Sequence, residues 1–323
     1  MVTTYVLQMN RTCDPCDNSR HAVSCITNAT ASVYIRLVLV ALFWGGTFIA
    51  GRVAAQAVPP MTAAALRFAI AVPLLAVIVW KSEGGLPALN RSQLLVTFVL
   101  GLTGIFLYNI CFFAALSRIS AGRTALFVAL NPIITSMLLA AFLGERIGAV
   151  RWIGISIALI GAWCVISGGN IAGAWTDIAA AFGTGELLMF CAISSWAAYT
   201  ILGRVALKTL SPVAATSYAA IWGLLLLACG AIAELGRIEW SSLDWRVYAA
   251  LTYLGVFGTV ISFIWYYQGV KIIGPARTAV FNNLVPVFGV FLAWILLAEP
   301  VLFSMVVGGL LVVGGLTFTN YKR

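Results

Sequence analysis

Charged residues are scarce in this sequence, and histidine is nearly absent. Of the 323 residues, 9% are charged, ten are acidic and a single one is histidine, while 62% are hydrophobic. Soluble globular domains carry about 25% charged residues. The composition therefore excludes a water-soluble domain. It also leaves too few bases, nucleophiles and ligands for a catalytic or metal site, so we expect neither an enzyme nor a bound cofactor or metal.

What the sequence has instead is a series of apolar runs of about 20 residues, the length that a helix needs to cross a bilayer. Barrel strands would appear as about ten residues of alternating polarity. We therefore predict an all-α, polytopic membrane protein with ten transmembrane helices. The predicted spans are 33–54, 61–80, 93–115, 121–143, 150–168, 183–206, 212–233, 247–269, 276–297 and 301–319.

The chain repeats itself in register. RTALF at 123–127 returns as RTAVF at 277–281, and at the same offset of 154 residues Pro132 matches Pro286. Other pairs at offsets of 154 or 152 are Gly101 and Gly255, Gly104 and Gly258, Glu145 and Glu299, Gly161 and Gly315, Trp44 and Trp196, and Arg52 and Arg204. Such self-similarity indicates a true duplication.

Each copy holds five predicted helices, and because five is odd the second copy must cross the membrane in the opposite sense. We therefore predict two inverted repeats, 33–168 and 183–319, after a tail of residues 1–32 that is disordered. Inverted repeats are typical of carriers that expose a midplane site to each side in turn. A channel or a lipid scramblase would also be poor in charge, and stays open as an alternative.

Basic residues set the predicted orientation. With both termini in the cytoplasm, 13 of the 19 Lys and Arg residues lie on the inner side, as the positive-inside rule requires. The net charge of +9 then reflects topology, and no nucleic-acid partner is expected. The expected partners are membrane lipid and a small-molecule substrate, with a monomer as the expected assembly.

Four phrases resemble the drug/metabolite transporter superfamily, EamA type: LFWGGTFIAGRVA, AALRF, RTALFVALNPIITSMLLAAFLGERI and GPARTAVFNNLVPVFGVFLAWILLAEP. The resemblance covers nearly the whole chain beyond residue 33. It implies a ten-helix bundle of two EamA repeats, in the bacterial inner membrane, that exports small metabolites, often amino acids. It leaves the substrate open, since similar sequences serve amino acids, amine toxicants, nucleotide sugars and cofactors.

Acids and histidine are missing from the predicted membrane interior, where proton-coupled carriers usually keep one. His21 is in the tail, and Glu145, Glu186 and Glu299 lie at helix boundaries. We read Glu145 and Glu299 as carboxylates favoured by helix dipoles, and Glu186 as interfacial. This favours uniport or exchange, with a proton-coupled exporter of drugs or other metabolites as the alternative.

With no fixed charge expected at the midplane, a net-neutral and mostly hydrophobic solute is the easier passenger, and aromatic or other neutral amino acids are the first guess. Aromatic rings and Asn amides would bind it, although they also serve as interface anchors and interhelical contacts. The candidate substrate-binding residues are Trp44, Thr47, Tyr108, Asn109, Asn131, Trp163, Trp196, Tyr199, Tyr266, Asn282 and Asn283.

Three arginines lie near predicted helix ends: Arg67, Arg123 and Arg277. Each could guide an anionic group in a vestibule, but we favour snorkelling of the side chain to lipid headgroups.

The tail carries Cys13, Cys16, His21 and Cys25, which are ligand types of a zinc site. Their spacing is one residue short of the usual pattern. We therefore favour a tail without metal.

Overall fold

The structure is a computed structural model that describes residues 19–143, 148–168, 170, 183–273, 278 and 281–320. Ten helical regions follow one another within these residues. They are α1 (Ser19–Ala57), α2 (Pro60–Glu83), α3 (Arg91–Leu116), α4a (Ala121–Val128) with α4b (Asn131–Leu143), α5 (Ala149–Ile166), α6 (Thr184–Ala206), α7 (Pro212–Ile232), α8 (245–273), α9 (Phe281–Leu297) and α10 (Phe303–Asn320).

Most of the helical regions have the length that a bilayer demands. Seven helices of the described part are long and apolar enough to cross a membrane, and α5, α9 and α10 contain shorter apolar segments. The prediction of an all-α, polytopic membrane protein is confirmed. The first helix begins earlier than predicted, at Ser19, so that residues 19–32 extend α1. Cys13 and Cys16 lie outside the described residues, as do the side chains of His21 and Cys25.

Helix irregularities recur at the offset of the sequence repeat. Asn90 caps the start of α3 and Asp244 caps the start of α8, in line with the preference of both types for that position. Each helix then widens into a π-helical segment, Gly101–Leu107 in α3 and Val256–Ile261 in α8. Such segments are rare and often accompany functional sites.

A close backbone contact joins α5 to α10 through glycine. A Cβ atom placed on Gly161 would lie 2.6 Å from the Gly308 carbonyl oxygen, and one on Gly315 would lie 2.5 Å from the Gly154 carbonyl oxygen. The two backbones therefore touch, as small residues allow in membrane helices. The other eight helical regions surround the central cavity described next.

Candidate functional site

A cavity of about 440 Å³ lies among α1 to α4 and α6 to α9. Ten of the eleven candidate residues line it: Trp44, Thr47, Tyr108, Asn109, Asn131, Trp196, Tyr199, Tyr266, Asn282 and Asn283. The exception is Trp163 in α5, a helix that packs against α10, and neither of these helices contributes a lining residue. Contact of Trp163 with the substrate therefore stays a prediction that this cavity does not support.

Aromatic rings form two walls of the cavity. On one wall the ring of Trp196 lies 5.1 Å from the rings of both Tyr108 and Tyr199. On the other the ring of Trp44 lies 5.3 Å from that of Tyr266, and its Nε1 donates to the Gly258 carbonyl oxygen at 3.2 Å. Offset or tilted rings at such distances attract one another, so each wall is a preformed apolar surface.

Sequence reasoning missed part of the aromatic lining. Phe112, Phe263 and Tyr267 also face the cavity. The repeat offered a signal for Phe112, since it matches the candidate residue Tyr266 at the 154-residue offset.

Arg67 also lines the cavity, and its side chain is 8% exposed. Its Nε donates to the Thr259 hydroxyl at 3.1 Å and its Nη1 to the Asn109 Oδ1 at 3.1 Å. Both acceptors lie in or next to the π-helical segments. The Thr259 hydroxyl donates to the Leu254 carbonyl and the Asn109 amide to the Ile105 carbonyl, and these bonds fix both acceptors.

The expectation that Arg67 snorkels to lipid headgroups is therefore wrong, and so is the expectation of a cavity without fixed charge. The guanidinium stays within the helix bundle because two fixed hydrogen-bond acceptors, in α3 and α8, bind it. Its position inside an apolar run was the available signal, since an ionisable residue within a membrane helix usually marks a functional site.

The cavity is open at one end and closed at the other. Its lining at the open end includes Arg204, Leu207 and Pro212, all exposed, at the junction of α6 and α7. Towards the other end the lining residues Thr47, Asn109 and Phe112 are all buried. We name the face where α6 ends and α7 begins the open face, and the face where α1 ends and α2 begins the closed face.

Three carboxylates of the second half hold the first half at the closed face. Glu299 accepts from the backbone amides of Ala121 and Gly122, at 2.8 and 3.0 Å. Glu186, 3% exposed, pairs with Arg123 at 3.0 Å. The third, Glu234, accepts from the amide and hydroxyl of Thr62, both at 2.9 Å. These contacts seal the cavity from that side.

The closed-face contacts change three earlier interpretations. Glu299 does complement a helix dipole, but that of α4a, whose first amides it caps. Arg123 does not snorkel, because Glu186 and the Ile166 carbonyl bind it. The interfacial role expected of Glu186 becomes a buried ion pair. Glu145 and Arg277, the repeat partners of Glu299 and Arg123, lie outside the described residues.

Known proteins with similar sequences are transporters. A model described as the EamA-like transporter family matches residues 31–167 and 183–321. Relatives include an uncharacterized transporter of Bacillus subtilis (strain 168), YyaM, 30% identical over 284 residues, with 88% of this chain and 92% of the relative covered. An uncharacterized transporter of Archaeoglobus fulgidus is 30% identical over 293 residues, covering 90% and 99%.

The fold also matches a solved structure, described only as a crystal structure of a protein, with a TM-score of 0.62. The match is 20% identical and covers 90% of this chain and 99% of the other. At that identity it supports the fold alone. The repeated phrases, the helical bundle and the matched family agree, and the chain is a membrane transporter that belongs to the EamA-like transporter family.

Proposed function

We propose that this transporter exports small, largely hydrophobic metabolites across a bacterial inner membrane, and that aromatic and other neutral amino acids are its substrates. The observation that carries the proposal is the cavity of about 440 Å³ between two aromatic walls, open at one face only. Cavities of 300 to 1,000 Å³ with a few placed polar groups suit single small molecules. A ring or aliphatic side chain fits between the walls, and Asn and Tyr side chains are near for the polar end.

Transport by alternating access is supported by the pairing of the two halves. Helix α1 packs on α9 and α6 on α4b, and α2 packs on α7, so that equivalent helices of the repeats make equivalent contacts. Inverted repeats that rock about a central site expose it to each face in turn. In this account the closed-face contacts break and matching contacts form at the open face, which the charge distribution assigns to the cytoplasm.

Export without proton coupling is supported by the lining of the cavity. No carboxylate or histidine belongs to the lining among the residues that the structure describes. The buried Glu186, which a proton-coupled mechanism would need, is occupied by Arg123 at the closed face. A proton-coupled drug exporter therefore lacks its titrating group in this cavity.

Uptake into liposomes tests the proposal. Purified protein is reconstituted, and entry of labelled Phe, Leu, Thr and Glu is followed with and without a pH gradient. We expect saturable entry of Phe and Leu that is the same in both conditions, because the described lining of the cavity holds no carboxylate or histidine. Entry that depends strictly on the proton gradient, or no entry of any of the four, contradicts the proposal.

A further inference from the structure

Arg67 has hydrogen-bonding capacity that the protein does not use. Two of its five N–H groups bind Thr259 and Asn109, both of which are neutral. These bonds involve Nε and Nη1, and the side chain of Arg67 lines the cavity. A planar guanidinium presents its donors as a fork that matches a carboxylate.

Arg67 also lacks a counter-ion in the described part of the chain. The described acidic residues lie towards the two faces and away from the cavity lining: Glu83, Glu186, Glu234, Glu239, Asp244 and Glu299. The three that hold the closed face already bind Arg123, Thr62 and the start of α4a. A buried cation without a partner is costly, and a bound anion would compensate it.

We propose that Arg67 binds the carboxylate of the substrate, so that the passengers of this cavity are small carboxylates with an aromatic or aliphatic body. The proposal rests on the proposed function, because it assigns the chemistry of the same cavity. Charge-assisted, two-pronged bonds of Arg to a carboxylate are among the strongest hydrogen bonds. The hydrocarbon part of the ligand then lies between the walls of Trp44 and Trp196.

The same geometry makes an amino group dispensable. An ammonium group finds only neutral acceptors in the lining, such as the side chains of Asn131 and Asn283. Arg67 repels it, as does Arg204, which lines the open end. Arginines along a cleft raise the local concentration of anions. Amines without a carboxylate are therefore excluded, while amino acids and their deaminated analogues are accepted.

A matched ligand series tests the anchor in the unaltered protein. Binding of 3-phenylpropionate, 3-phenylpropanamide and 2-phenylethylamine to the full chain in lipid nanodiscs is measured by calorimetry. The acid and the amide share one shape, so that their ratio of Kd values isolates the charge. We expect the acid to bind about 10- to 100-fold more tightly than the amide, and the amine not to bind. Equal Kd values for acid and amide, or binding of none of the three, overturn the proposal.

Two variants test whether Arg67 causes the preference for the acid over the amide. Arg67→Gln is expected to bring the ratio of acid to amide close to one while the amide Kd stays unchanged, a pattern that general damage to the cavity would not produce. Arg246→Gln removes an equal charge at an exposed position, and should keep the ratio of the unaltered protein. A ratio that survives Arg67→Gln overturns the assignment. If that variant fails to fold, the ligand series alone decides.

Failure of this inference and failure of the proposed function give different results. Saturable transport of Phe by a protein that does not distinguish acid from amide leaves the carrier intact and removes the anchor. Tight binding of 3-phenylpropionate that requires Arg67, without transport of any amino acid, keeps the anchor and removes amino acids as substrates.

Discussion

Glu299→Gln should open the closed face. The carboxylate of Glu299 accepts two backbone hydrogen bonds, from Ala121 and Gly122, at the start of α4a. Glutamine keeps one carbonyl acceptor, turns an amide donor toward the other backbone N–H, and loses the charge that the helix dipole favours. Hydrogen bonds to charged groups contribute about 1.5 to 3 kcal/mol each. We therefore expect about 2 to 3 kcal/mol less stabilisation of the closed face.

A loss of that size changes the ratio of the two conformers by about 30- to 150-fold, because about 1.4 kcal/mol corresponds to a factor of ten. The assay is pulsed electron spin resonance between labels at Arg118 and Glu239. Both positions are exposed at the closed face, one in each half. The seven cysteines are replaced beforehand. We expect a second, longer distance to grow strongly in Glu299→Gln.

The matched control is Asp244→Asn, which removes a carboxylate from the same face. Asp244 accepts only from the nearby amide of Arg246, at 2.8 Å, and asparagine caps helices equally well. Its distance distribution should equal that of the parent. If Glu299→Gln also leaves the distribution unchanged, the carboxylate does not hold this face closed, and the reasoning is refuted.

Three further substitutions test packing and the cavity. Gly308→Ala should lower the free energy of unfolding by about 1 to 3 kcal/mol, because the new Cβ would lie 2.5 Å from a carbonyl oxygen of α5. The control, Gly314→Ala, places a Cβ that meets nothing within 4 Å and should leave the stability unchanged. Thermal unfolding in detergent measures both variants, and equal effects would contradict the close contact. Trp196→Leu should weaken binding of 3-phenylpropionate about 2- to 10-fold in calorimetry, and Trp163→Leu should leave the Kd unchanged. A larger loss of affinity in Trp163→Leu than in Trp196→Leu would contradict the placement of Trp163 outside the cavity. Thr259→Val removes an acceptor of Arg67 and should weaken carboxylate binding about 3- to 10-fold; an unchanged Kd would show that this bond does not orient the guanidinium.

The helical architecture could be predicted from the sequence because the length and hydropathy of an apolar run define a membrane helix. Apolar runs of about 20 residues and the 154-residue offset are periodic signals that need no tertiary information. An offset of 152 residues relates the wall residue Trp44 to Trp196, and ten of the eleven candidate residues meet in one cavity. Residue type alone could not show that Trp163 lies outside this cavity, because it does not indicate which helices form the peripheral pair.

Side-chain contacts between helices that lie far apart in the chain could not be predicted from the sequence. Glu299 caps a helix that begins 178 residues earlier, and Glu186 finds Arg123 rather than lipid headgroups. Arg67 was misjudged for the same reason. Its direction depends on the π-helical turns that present Thr259 and Asn109, and nothing local in the sequence of α2 encodes those turns.

Counterflow tests the central claim, a carrier that alternates access to one cavity, most directly. Liposomes that contain the protein and a high concentration of unlabelled Phe are diluted into a trace of labelled Phe, and internal label is followed with time. Alternating access predicts that label rises transiently above its equilibrium level, and that this overshoot is lost when the internal Phe is omitted. Label that only equilibrates, at a rate proportional to concentration and indifferent to internal Phe, would contradict the account and indicate a channel.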